Sequence, residues 1–203
     1  MPVARVGQAA DTACKDESQA LTPRGRACRP GDGRRCALIG PTARGWEEPG
    51  VVEQKRGRRI AMSPGELDAF LASERTCRVG TSGHSGPHVT PLWFVWNTGS
   101  LWLYSLTRSQ RWADIARDPR VAVLVDAGVD YHELRGAELV GDAEVVGEVP
   151  RTGEAEPALE VPERLFARKY FDSEEFVHDQ RHAWLRITPE TVRSWDFRKL
   201  AAH

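Results

Sequence analysis

Between Pro87 and Ser105 the chain carries two runs dense in apolar residues, Pro87-His88-Val89-Thr90-Pro91-Leu92-Trp93-Phe94-Val95-Trp96 and Leu101-Trp102-Leu103-Tyr104-Ser105. Asn97-Thr98-Gly99-Ser100 separates them, and aromatic and β-branched runs around a short Asn/Gly turn predict a β-hairpin. Other stretches read the same way. Cys77 to Thr81 predicts a strand before the turn Ser82 to Gly86, and Arg120 to Asp126 reads as a strand of alternating Val and Leu. Glu133 to Val149 is long and strand-like but broken by Gly136, Gly141 and Gly147, which mark bulges or sharp curvature. His182 to Ile187 and Val192 to Phe197 supply two last strands around Thr188-Pro189-Glu190.

Helical signals are fewer and shorter. Ser63-Pro64-Gly65-Glu66 reads as a capping box with Pro at the first helical position, and Leu67, Phe70 and Leu71 share the following face. Ser109 can N-cap a second helix whose Trp112 and Ile115 are three apart, stopped by Asp118-Pro119. Pro162 to Tyr170 predicts a third, with Leu165 and Phe166 inward. Six or seven mostly antiparallel strands with small peripheral helices predict a mainly β fold, a barrel, in place of alternating βαβ units.

Composition changes this picture at one end. Residues 1–61 are rich in Gly, Pro, Arg, Ala and Glu, carry a net charge of +5 and show neither periodicity. Such a stretch buries too little apolar surface to offset chain entropy, so it is expected to be a disordered basic tail before a domain at 62–203. Its functional reading is a contact with an acidic partner or a transit peptide; its bland one is an inessential extension. The remainder is net −6 and the whole chain −1, which argues for neither nucleic acid nor membrane as a partner. No apolar run approaches the ~20 residues of a membrane span, and no secretory signal is visible. The four cysteines match no zinc spacing, and Cys77, the single one outside the tail, reads as a small buried hydrophobe in a reduced, cytoplasmic protein.

Candidate chemistry is sparse. The six histidines show no metal-ligand spacing, no nucleophile elbow occurs, and Glu133 and Glu138, five apart on a strand, face opposite ways. The acidic run Asp172 to Glu175 reads as a solvated loop. What stands out is Arg108, Ser109 and Arg111 at a helix start, where free N–H groups, a hydroxyl and two guanidiniums make a phosphate cradle beside an apolar hairpin wall. The competing reading is a solvated helix start with Arg111 and Asp114 as a surface ion pair. The tryptophans at 93, 96, 102 and 112 divide likewise between an aromatic wall and plain core or dimer interface.

In order and spacing, Gly86-Pro87-His88-Val89-Thr90-Pro91-Leu92-Trp93-Phe94, Tyr104-Ser105, the run Thr107 to Ala122, Glu133-Leu134-Arg135-Gly136, Val140 to Val146 and Trp195-Asp196-Phe197-Arg198-Lys199 resemble the pyridoxamine 5′-phosphate oxidase-like split barrels. The nearest subgroup is the actinobacterial flavin/deazaflavin oxidoreductases that use coenzyme F-420. The resemblance covers about Met62 to Leu200. It implies a split β-barrel, a homodimer, and a cofactor in the groove between subunits. Thr90, Pro91, Leu92 and Trp93 would run along the tricyclic ring, and Tyr104 and Ser105 would approach the ribityl chain. Thr107, Arg108, Ser109, Gln110 and Arg111 would hold the phosphate, with Arg135 and Gly136 contributed across the dimer. The vitamin oxidases carry cations where Thr90, Val95 and Gln110 stand here, which favours deazaflavin F-420 over FMN. The resemblance implies hydride transfer to a small conjugated substrate with no catalytic side chain named; an FMN-dependent oxidase and a non-catalytic cofactor-binding barrel are the alternatives.

Overall fold

The computed structural model describes residues 57–200. The tail expected for residues 1–61 therefore lies outside the described residues up to position 56. Ile60 and Ala61 already belong to the fold, because the Ile60 carbonyl accepts from the Asp196 amide at 2.7 Å and the Ala61 carbonyl from Lys199 Nζ at 2.7 Å.

Helix α1 (Pro64–Ser73) starts as its capping box dictates: Ser63 Oγ accepts from the Glu66 amide at 3.4 Å and Glu66 Oε2 from the Ser63 amide at 2.7 Å. Strands β1 (Thr76–Gly83) and β2 (Gly86–Asn97) form the first hairpin. Pairing runs on to Gly83 and Gly86, so the turn is His84-Ser85 alone, tighter than the Ser82 to Gly86 segment that the glycines suggest. β2 then pairs with β3 (Ser100–Leu106) through Thr98 and Gly99, both at positive φ (46° and 73°), as a two-residue hairpin turn requires.

The remaining elements follow in order. They are α2 (Gln110–Arg117), β4 (Arg120–Ala127), β5 (Arg135–Val146), α3 (Glu160–Phe171), β6 (His182–Ile187) and β7 (Thr191–Asp196). The neighbours run β4-β1-β2-β3-β6-β5-β7, and a further β4–β5 pairing closes six strands into an antiparallel barrel with β7 attached to β5. Closure depends on a corner in β5: residues 135–140 pair with β7 and residues 143–146 with β6 along the same edge. Gly141 sits between, where a Cβ would come 2.6 Å from the Thr188 carbonyl oxygen. The curvature inferred from that glycine is thus a close backbone approach.

Inward residues of β1, β4 and β5, among them Val79, Val123 and Leu139, fill the barrel with Phe94, Leu101, Leu103, Leu185 and Ile187. Phe70 and Leu71 of α1 and Ile115 of α2 close it. A second cluster lies on the outer face of β2, β3 and β6, where Val95, Trp102 and Trp184 meet Leu159 and Phe166 under α3. Among the described residues no helix is long and apolar enough to cross a membrane.

Candidate functional site

Strand alternation decides what each residue of the β2–β3 ribbon can do. Thr90, Ser105 and Phe94 look toward the barrel side, while Pro91, Trp93 and Tyr104 look toward α3. The ribbon therefore has a polar mouth on one face and an aromatic wall on the other.

At the mouth, α2 begins with Ser109, whose Oγ accepts from the Trp112 amide at 3.2 Å and donates to the Leu106 carbonyl at 2.8 Å. Arg111, the second residue of the helix, is 6 % exposed. Its Nε and Nη2 donate to Ser105 Oγ at 3.3 and 3.2 Å, and its Nη1 donates to Thr90 Oγ1. Among the described residues no carboxylate pairs with it. Burial pulls its pKa down from the usual arginine range, yet an arginine stays charged. The surface ion pair Arg111–Asp114 is not formed, because Asp114 is engaged elsewhere. Its carboxylate accepts from Gln110 Nε2 at 2.8 Å and Thr81 Oγ1 at 3.0 Å, and lies 3.6 Å from Arg117 and 3.7 Å from His88 Nδ1. The Gln110 and Thr81 hydrogen bonds, helped by the Arg117 guanidinium, lower its pKa and bolt α2 onto β1.

The other residues singled out in the sequence fall in three places. Arg108 is exposed beside the mouth and makes no hydrogen bond or ion pair among the described residues. Thr107 is spent on the chain itself, its amide and hydroxyl both donating to the Arg181 carbonyl at 3.1 and 3.0 Å. Pro91, Leu92, Trp93 and Tyr104 line a cavity of about 850 Å³ on the α3 side. Arg135 and Gly136 lie at the start of β5, where the Arg135 guanidinium pairs with Glu74 at 3.1 Å over the Phe70 ring and Gly136 faces the Trp195 ring. Within one chain the structure does not bring that pair to either the mouth or the cavity.

Sequence reasoning missed most of the cavity. Trp93 stacks on Tyr170 with centroids 4.4 Å apart and planes at 8°, and Phe166 packs edge-on against Tyr104 and Trp184. Phe166 and Tyr170 are four apart on α3, a spacing that places both on one helix face and could have signalled it. The run Asp172 to Glu175 is not wholly a solvated loop, since Ser173 and Glu175 rim the same cavity. Tyr170 itself clasps β2: its hydroxyl accepts from the Phe94 amide at 2.9 Å and lies 2.6 Å from the Arg75 carbonyl. Lys169 next to it donates to the Phe94 carbonyl at 3.2 Å, and burial, with Arg75 nearby, brings its pKa down to about 8. Asp130, His132 and Glu133 cluster on an exposed loop, with ligand-type atoms within 4.8 Å of one another, but no second feature there points to a metal.

A six-stranded closure whose main hairpin offers a carboxylate-free guanidinium on one side and an apolar hollow on the other defines a cofactor-binding split barrel. The chain belongs to the pyridoxamine 5′-phosphate oxidase family, whose profile matches residues 63–196. The family typically binds flavin or deazaflavin cofactors. The conserved hypothetical protein Rv2991 of Mycobacterium tuberculosis shares 30 % identity over 74 % of this chain and 94 % of its own, with a TM-score of 0.62. An FAD-binding protein of Mesorhizobium loti (20 % identity, 66 % and 93 % covered, TM-score 0.51) shares the fold. So does HutZ, the heme storage protein of Vibrio cholerae (13 %, 65 % and 94 %, 0.52). No curated protein matches the chain.

Proposed function

We propose that this protein is an oxidoreductase that holds the deazaflavin coenzyme F-420 by its phosphate and uses it to reduce a small conjugated organic substrate. The observation that carries the reading is Arg111, a buried guanidinium that meets only hydroxyls. Withdrawing a charge from water costs several kcal/mol even after relaxation, and an anionic ligand offsets that cost. Arg108 adds a second, uncommitted cation, and the first amides of α2 point toward the same place, where the helix dipole favours an anion. A phosphate fits the residues present.

In this reading Arg108, Ser109 and Arg111 grip the phosphate, while Thr107 and Gln110, whose side chains are committed to Arg181 and Asp114, contribute backbone. Thr90, Pro91, Leu92 and Trp93 flank the ring system largely through backbone groups of β2, whose pairing with β3 begins only at Phe94, and the chain at Tyr104 and Ser105 approaches the polyol. The bound coenzyme supplies the hydride chemistry; the chain positions it and keeps water out. Val95, 2 % exposed between tryptophans, sits where a lysine would bury its charge, which supports a deazaflavin over FMN. The proposed working unit is a cytoplasmic homodimer in which Arg135 and Gly136 reach the second copy's coenzyme; the exposed Val89, Val129 and Tyr131 give such a contact apolar surface to bury.

Titration of the full chain with F-420 and with FMN, in the parent and in Arg108→Ala/Arg111→Ala, tests this. F-420 is expected to bind the parent more tightly, and the double variant to lose about 3 to 6 kcal/mol, two charge-assisted contacts at ~1.5 to 3 each. Unchanged affinity removes the phosphate assignment. Tight FMN binding with a yellow product of purification moves the assignment to an FMN-dependent oxidase, and binding without turnover of any electron acceptor to a storage protein.

A further inference from the structure

Asp114 is a fully buried carboxylate that the phosphate grip does not use. Its two hydrogen-bond donors, the Gln110 side-chain amide at 2.8 Å and the Thr81 hydroxyl at 3.0 Å, are neutral, and an uncharged carbonyl oxygen would accept from them as well. The guanidinium beside it, Arg117 at 3.6 Å, is half-exposed and offsets little of the cost of burying a charge. His88 Nδ1, at 3.7 Å, stands beyond hydrogen-bond reach. Fastening α2 to β1 therefore does not require the negative charge.

The charge does lie beside the anion seat. Thr90 and His88 are alternate residues on one face of β2, and the first meets Arg111 while the second faces Asp114, so the two charged groups stand roughly 7 Å apart along the strand. On α2 they are three residues apart. Asp114 also draws back the side chain of Gln110, the first residue of the helix, which leaves that position's backbone N–H to face an anion.

We propose that Asp114 sets the charge of the phosphate that the mouth accepts, tilting the seat toward a singly charged phosphodiester and away from a doubly charged phosphomonoester. This selectivity builds on the seat of Arg108, Ser109 and Arg111 proposed above. Coulomb repulsion scales with the ligand's charge, so the carboxylate weakens a dianion twice as much in free energy as a monoanion. A phosphomonoester carries close to two charges above pH 7, a diester one. Coenzyme F-420 holds its phosphate as a diester and FMN as a monoester, so the same carboxylate favours the deazaflavin coenzyme.

The test is fluorescence titration of the full chain at pH 8 with 5-deaza-FMN, its methyl phosphodiester and 5-deazariboflavin, which share ring and polyol and differ in phosphate charge. Asp114→Asn keeps a hydrogen-bond acceptor and is expected to bind the monoester ~10-fold and the diester ~3-fold more tightly than the parent, with deazariboflavin unchanged. Thr81→Val removes a hydrogen bond to the carboxylate but keeps the charge, and should leave the monoester-to-diester ratio of affinities where it was. A ratio that does not rise in Asp114→Asn, or that Thr81→Val raises equally, overturns the role of Asp114 and leaves the phosphate seat standing. Esters that bind the parent no more tightly than deazariboflavin, or not at all, remove the seat itself and the selectivity with it. If Asp114→Asn does not fold, Asp114→Ser is read in its place; failure of both to fold shows that the charge serves the barrel and overturns the proposal as well.

Discussion

Replacing Arg111 by Met separates a ligand-holding charge from a structural strut. The side chain is 6 % exposed and spans from α2 to Ser105 and Thr90, so methionine fills much of the same space without the charge. The loss comprises hydrogen bonds to two hydroxyls, about 1.5 to 3 kcal/mol each at most, and leaves the fully buried Ser105 hydroxyl without that donor. The gain is relief of a desolvated cation with no counter-ion, several kcal/mol of the opposite sign. The two nearly cancel, so unfolding of the cofactor-free protein in urea should shift by less than ~2 kcal/mol in either direction. Affinity for a phosphate-bearing coenzyme, by contrast, should fall roughly ten- to hundred-fold, one charge-assisted contact. Urea titration without coenzyme and fluorescence titration with it read the two quantities independently. A variant that loses more than ~3 kcal/mol of stability and keeps its affinity would show that Arg111 braces the barrel and holds nothing.

Other consequences follow from the same coordinates. Burial raises the Asp179 carboxyl, but hydrogen bonds from the Arg181 amide and from His182 outweigh it and depress the group from 3.8 to about 2. The unfolded chain therefore takes up its proton first as acid is added, and the stability it contributes above pH 4 drains away between pH 4 and 2. Asp179→Asn should flatten that part of the urea-midpoint profile; an unchanged slope would show the carboxylate equally perturbed in the unfolded chain. Gly141→Ala places a Cβ against the Thr188 carbonyl and should cost about 1 to 3 kcal/mol, whereas Gly65→Ala in α1, with open space around it, should stabilise by ~0.4 to 1 in the same thermal melts. Val89→Asp, on an outward position 62 % exposed, should lower the sedimentation coefficient of the proposed homodimer at micromolar concentration and leave the melting temperature of a monomer unchanged.

Elements with a local cause were readable in the chain. The capping box at Ser63, the Ser109 cap, the Asp118-Pro119 stop and the Thr98-Gly99 turn each depend on residues within four positions, and each stands where the pattern put it. The bend at Gly141 was legible as a bend but not as the passage of Thr188, since that contact joins residues 47 apart. The arginine pair at 108 and 111 was visible, but not that one is buried and the other free. Nothing in Thr107-Arg108-Ser109-Gln110-Arg111 says that the last side chain reaches 21 residues back to Thr90. The hydrogen bond from Tyr104 to Asp179 and the stack of Tyr104 on His182 were illegible for another reason: they join residues that only the barrel's closure brings together.

The two faces of β2 and β3 are assigned to different tasks by consecutive residues: Thr90 and Ser105 to the charge, Pro91 and Tyr104 to the hollow. Deleting or inserting a single amino acid anywhere in that ribbon would exchange the two sets, sending threonine and serine into the greasy compartment and proline and tyrosine to the guanidinium. Length variation in descendants of this gene should therefore be confined to connections such as residues 128–133 and 151–159, with the spacing from Thr90 to Arg111 left untouched.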